Sequence, residues 1–178
     1  MTVVLRLVFA AALAGVCVVI ARAKAGRLEL RSQALGDFLT LMKQMEALIR
    51  VGGRAIPDAL SECASRLDGR WTGKLAAALA GYYGGRADVA GKWAEALNEA
   101  AKDSEEAASL TADDRQVIAL FGDQLSSPDI RTIGENYAML YARIGEKLQE
   151  SDRDRAVKGR LYRTLGTLAG LAAAVVVL

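Results

Sequence analysis

A chain of 178 residues that is 52% hydrophobic and 6% aromatic, with 23 basic and 21 acidic side chains for a formal charge of +2, is neither disordered nor a strong polyion. It contains no histidine, which removes Ser-His-Asp and Cys-His nucleophile pairs and the usual nitrogen ligands for zinc. Its two cysteines, Cys17 and Cys63, form no Cys-x-x-Cys pair or disulfide framework, and two prolines leave long uninterrupted helices open.

Residues 2–21 are an apolar run broken only by Arg6 and followed by Arg22, Lys24, Arg27 and Arg31, which predicts an N-terminal transmembrane helix over 1–21. A rival reading is a cleavable secretory signal, since Ala21-Arg22-Ala23 imitates a small-x-small site; the basic residues directly after the apolar core oppose export. At the other end, residues 161–178 carry no charge after Arg163. As a helix they cover roughly 27 Å, against the roughly 30 Å of a bilayer core. A basic collar precedes them: Arg153, Arg155, Lys158, Arg160 and Arg163. Both basic flanks face the middle of the chain, so the positive-inside rule predicts both termini outside and residues 22–160 in the cytoplasm.

Between these ends the apolar periodicity is helical throughout. Leu35, Phe38, Leu39, Met42, Met45, Leu48 and Ile49 make one face, stopped by Gly52-Gly53, and Pro57 opens a short helix with Leu60, Cys63, Ala64 and Leu67 inward. Asp68-Gly69-Arg70 reads as a turn. A helix over 71–83 then presents Trp71, Leu75, Leu79 and Tyr82 or Tyr83, and another over 89–101 presents Val89, Trp93 and Leu97. A polar link over 102–109 leads to Thr111-Ala-Asp-Asp114, which resembles a capping box for a helix carrying Val117, Ile118, Leu120, Phe121 and Leu125. Ser126-Ser127-Pro128 interrupts, and Ile130, Ile133, Tyr137, Leu140, Tyr141, Ile144 and Leu148 form a last stripe whose polar continuation over 150–160 is a stalk. The expected fold is all-α: a cytoplasmic bundle of about five or six helices with helical stalks (22–160), carried between transmembrane helices at 1–21 and 161–178.

No catalytic, cofactor or metal site is expected. Gly73-Lys74 lacks both the earlier glycine and the following Ser or Thr of a phosphate-binding loop, because those positions are Asp68 and Leu75. Trp71 and Trp93 at helical spacing read as core. Gly166-x-x-x-Gly170, with Ala11 and Gly15 as a matching small pair, is a candidate membrane helix-packing seam; the competing reading is that small residues are simply frequent here. Nine acids from Glu95 to Asp129 face only Lys102 and Arg115. Among them Glu95, Glu99, Asp103, Glu105, Glu106, Asp113 and Asp114 form a candidate partner surface, set against the reading of a merely solvated face. Nucleic acid is not an expected partner, because the basic residues lack interleaved aromatics.

The layout resembles the stage III sporulation protein AB family. The residues that carry it are Arg160-Leu-Tyr-Arg-Thr-Leu-Gly-Thr-Leu-Ala-Gly-Leu171, Ile56-Pro-Asp-Ala-Leu60, Trp93-Ala-Glu-Ala-Leu97, and Leu110-Thr-Ala-Asp-Asp-Arg115 continuing to Phe121-Gly122 and Asp129. Ser126, Pro128 and Ile133 depart from that pattern. The resemblance implies a non-enzymatic membrane platform component of the channel complex between mother cell and forespore, similar to the F-type inner-membrane platform of type II secretion and type IV pilus machines. Its location would be the mother-cell membrane around the forespore. The implied partners are the lipid bilayer, a hexameric secretion-type ATPase and other membrane subunits of the channel, with a homo-oligomer left open. The alternative is a membrane-anchored sensor or enzyme with a helical cytoplasmic domain.

Overall fold

The structure, a computed structural model, describes residues 2–82, 88–125 and 130–177; within the helices, the side chains of residues 2–11, 13, 14, 17, 130–135, 163, 169–171 and 173–177 lie outside the description. Among the described residues there are seven α-helices: α1 (Thr2–Glu46), α2 (Ile56–Arg66), α3 (Trp71–Tyr82), α4 (Val89–Asp103), α5 (Glu105–Ser109), α6 (Ala112–Leu125) and α7 (Ile130–Val177). A π-helical turn, Ala47–Val51, follows α1. The chain is all-helical, as its periodicity suggests. The count exceeds the five or six expected because α5 occupies part of the polar link and, at five residues, is too short to show a period. Two junctions expected to break the chain, 84–87 and 126–128, lie outside the described residues.

Local chemistry sets the other helix ends. Gly53 takes φ +60° just past the π-helical turn and Gly69 takes φ +81° between α2 and α3, the left-handed region that a side chain disfavours. Pro57 sits in the first turn of α2, where no N–H is required. Asp88 caps α4 by accepting from the Gly91 N–H at 2.9 Å. The capping box of α6 is present in both directions: Asp114 N–H donates to Thr111 Oγ1 at 3.1 Å, and Thr111 N–H donates to Asp114 Oδ2 at 2.9 Å.

The chain divides into two compact units, residues 30–149 and the end segments 1–29 and 150–178 together. In the first, Phe38 of α1 lies at the centre of an aromatic cluster. Its ring stacks on Trp71 of α3 at 6.3 Å, and meets Phe121 of α6 edge-on at 5.6 Å and Trp93 of α4 at 6.3 Å. Phe121 in turn meets Tyr137 of α7 edge-on at 5.6 Å. Such contacts add about 0.5–1.5 kcal/mol each beyond the area they bury. Close approach here needs glycine: a Cβ at Gly122 would lie 2.4 Å from the Trp93 ring. Around the cluster, Leu35, Met42 and Met45 of α1, Leu60 and Cys63 of α2, Leu75 and Leu79 of α3, and Leu140 and Ile144 of α7 are buried, in keeping with their spacing.

In the unit formed by 1–29 and 150–178, Ala21 and Ala25 are buried while Val16, Val19, Ile20, Val157, Leu161, Leu165 and Leu168 are exposed. Several polar contacts of this unit are at the surface. Lys158 pairs with Asp154 at 2.7 Å, Arg155 approaches Glu29 at 3.7 Å, and Lys24 Nζ sits 5.7 Å from the centre of the Tyr162 ring.

The expected transmembrane helices at 1–21 and 161–178 are not supported. Among the described residues no helix is long and apolar enough to cross a membrane. A span takes about 20 consecutive, predominantly apolar residues. The described side chains of α1 meet Arg22, Lys24 and Arg27, and those of α7 meet Arg155, Lys158 and Arg160, before such a length is reached. With the spans go the two-span topology with both termini outside, the location in the mother-cell membrane, the membrane-platform function and the membrane-anchored alternative. Of the candidate packing seam, Gly15 is exposed, with nothing described within 4 Å of an added Cβ. Gly166 is buried; Ala11 and Gly170 are outside the residues whose side-chain surroundings are described.

Candidate functional site

The seven acids of the candidate partner surface fall into three different environments. Asp114 is not on a surface at all. It is fully buried at the start of α6, where Arg31 of α1 donates to it through Nε at 2.7 Å and Nη2 at 2.9 Å. Burial pushes its carboxyl up, but Arg31 and the two Thr111 hydrogen bonds outweigh that and hold it below the usual aspartate range. The pair ties α1 to α6 across 83 positions of sequence, and it serves packing.

Glu95, Asp113 and Glu106 are accessible but engaged. Glu95 of α4 pairs with Lys92 one turn earlier, and Asp113 of α6 pairs with Lys147 of α7. Glu106 of α5 accepts from Ser104 Oγ at 2.6 Å. That hydrogen bond, then its own backbone N–H, lowers the Glu106 carboxyl, with Lys74 contributing further. Glu99, Asp103 and Glu105 remain. They are exposed and have neither an ion pair nor a hydrogen bond to another side chain.

These three line one cleft. Its larger part, about 320 Å³, lies between the start of α3 (Gly69, Arg70, Trp71, Lys74), the α4–α5 junction (Asp103, Ser104, Glu105, Glu106) and Asp37 of α1. An adjoining part of about 90 Å³ is lined by Glu99 and Asp103 and, across from them, by Trp71, Lys74, Leu75 and Ala78. The junction explains the placement. Ser104 has extended backbone (φ −138°, ψ 130°) and caps α5 by accepting from Ala107 N–H at 3.2 Å. An extended residue puts its two neighbours on one side, here Asp103 and Glu105. Across the cleft Arg70 is held by Asp37 at 2.6 Å, and Trp71 is buried against Phe38.

Proximity along the chain groups the acids but does not reveal Arg31 as the partner of Asp114, or Asp37, Arg70, Trp71 and Lys74 as the opposite wall. One local signal was available, since Ser104-Glu105-Glu106 is a helix start: a capping serine followed by two acids in the first turn.

Cys63, Tyr137 and Tyr141 are bound into the packing. The buried Cys63 thiol is pushed up to about 11 by burial, with Glu62 adding to the rise and Arg66 opposing it, so it stays protonated near neutrality. Burial also raises Tyr137 and Tyr141, the latter helped by donating to Glu46 Oε2 at 2.7 Å. Among the described residues no group of three or more Cys, Asp or Glu side chains is placed to hold a metal ion.

The described residues thus form an all-helical bundle with a charged cleft. Residues 6–178 match Stage III sporulation protein AB, so the chain belongs to the stage III sporulation protein AB family. No curated protein and no solved structure matches the chain.

Proposed function

We propose that this chain is a non-enzymatic docking protein of sporulation, presenting the acidic side of α4 and α5 to a basic surface of a secretion-type ATPase. The observation that carries the reading is the gathering of Glu99, Asp103 and Glu105, the candidate acids without a side-chain partner, around one cleft. Carboxylates that a fold leaves unpaired side by side repel one another. An incoming cation relieves that repulsion, and the potential they create steers a basic partner toward them. Family membership supplies the sporulation setting.

The test is kinetic. Association of the full chain with the purified ATPase should slow several-fold between low and physiological salt, where screening acts over roughly 8 Å. Reversal of Glu99 and Glu105 to lysine should slow it further and flatten the salt dependence. Unchanged association rates in the reversed variant, with helicity intact by circular dichroism, would reduce the acidic side to a solvated face.

A further inference from the structure

Asp68-Gly69 is the one Asp-Gly step in the chain, and no Asn-Gly occurs. It forms the exposed turn between α2 and α3, with Gly69 at φ +81°. Asp88 and Ser104 accept from amides three residues further on, as helix caps do. Asp68 differs: its Oδ1 accepts from the N–H of the very next residue, Gly69, at 2.9 Å. That nitrogen is the one with which an aspartate side chain closes a five-membered ring. Glycine at the following position adds no Cβ to crowd the nitrogen, and it holds the left-handed conformation without cost.

We infer that Asp68 is a self-modification site, at which the Gly69 nitrogen attacks the Asp68 side-chain carboxyl to form a succinimide that water reopens to isoaspartate. The amide N–H lies in the peptide plane and points at the carboxyl group, so loss of that proton leaves a lone pair aimed at it. The bond from nitrogen to Cγ forms, and the hydroxyl of the protonated acid leaves as water with the amide proton. Water then adds to the main-chain carbonyl of the ring and breaks its bond to nitrogen. The chain now runs through Cγ, with a free α-carboxylate beside it; opening at the other carbonyl restores aspartate. Isoaspartate lengthens the backbone by one methylene, and this turn has no slack. Arg70 N–H donates to the Leu67 carbonyl at 3.0 Å, and a Cβ at Gly73 would lie 2.2 Å from the same oxygen. Gly69 and Arg70 line the cleft, and Arg70 is held by Asp37, so the change alters one wall of the cleft.

The test is an ageing experiment on the full chain at neutral pH in water enriched in oxygen-18, with helicity followed by circular dichroism. A capped Leu-Asp-Gly-Arg peptide in the same solution sets the clock. Arg66 and Arg70 flank the turn, so trypsin releases residues 67–70 as one peptide. An isoaspartyl form of that peptide should accumulate, carry one heavy oxygen and accept a methyl group from a purified isoaspartate methyltransferase. The other aspartate-containing peptides should stay unchanged over the same time. Asp68→Glu, whose closure needs a six-membered ring, should give no such product. Asp68→Asn should convert several-fold faster than the native chain, with ammonia leaving in place of water. A folded chain that holds no isoaspartate at position 68 when half of the free peptide has converted overturns the inference, as does an Asp68→Asn chain that converts no faster than the native one.

Discussion

The unit formed by residues 30–149 and the unit formed by the two end segments use similar proportions of alanine and leucine to different effect. In the first, large side chains from five helices meet around Phe38, and the buried charge has a bidentate partner. In the second, the described aliphatic side chains Val16, Val19, Ile20, Leu161, Leu165 and Leu168 are exposed, and the charges pair at the surface. The difference shows that helical periodicity reports which residues share a face, while stability depends on what that face meets. Single substitutions should therefore be costly in the first unit and nearly silent in the second.

The largest effect should come from Asp114→Ala, which removes the bidentate carboxylate from the buried Arg31 guanidinium and should cost about 3–5 kcal/mol in chemical denaturation. Replacing both residues, Arg31→Met with Asp114→Leu, should recover much of that loss; a double variant as unstable as the single one would show that the cost lies elsewhere. The same pair predicts an acid transition. Because the folded-state value of Asp114 lies below its ordinary value, protonation favours the unfolded chain. The stability contributed is fully present above about pH 4, where an unfolded aspartate is ionised, and is lost as pH falls through the folded value. Denaturation midpoints measured between pH 6 and pH 2 should decline in that lower window, and the decline should be shallower in the double variant.

A smaller effect is expected of Gly122→Ala. The new methyl would press on Trp93, 2.4 Å away, and overpacking of this kind costs about 1–3 kcal/mol. A midpoint equal to wild type would mean that the aromatic cluster yields more readily than its geometry implies. Smallest of all, Lys158→Ala removes an exposed pair in the end-segment unit and should change stability by less than about 0.5 kcal/mol. A loss above 1 kcal/mol would contradict the contrast between the two units.

Much of the bundle is legible in the sequence because its signals are local. The stripes from Leu35 to Ile49 and from Tyr137 to Leu148, the Thr111–Asp114 capping box and the glycine at position 53 each depend on neighbours within a turn or two. What was not legible depends on distance. Asp114 looks like any first-turn acid until Arg31, 83 positions away, closes on it. The cleft likewise needs the start of α3 opposite the α4–α5 junction, an arrangement that no spacing within either segment encodes. The apolar ends misled for a related reason: hydrophobicity was read as a membrane address, and the described helices lack the uninterrupted length that address requires.

Photocrosslinking in sporulating cells gives the most direct test of docking through the acidic cleft. A p-benzoylphenylalanine replacing Ala78, exposed at the cleft wall, should capture the ATPase. The same group replacing Val51, 89% exposed at the α1–α2 turn, should not. Capture of the ATPase from position 51 with none from position 78 would contradict the account.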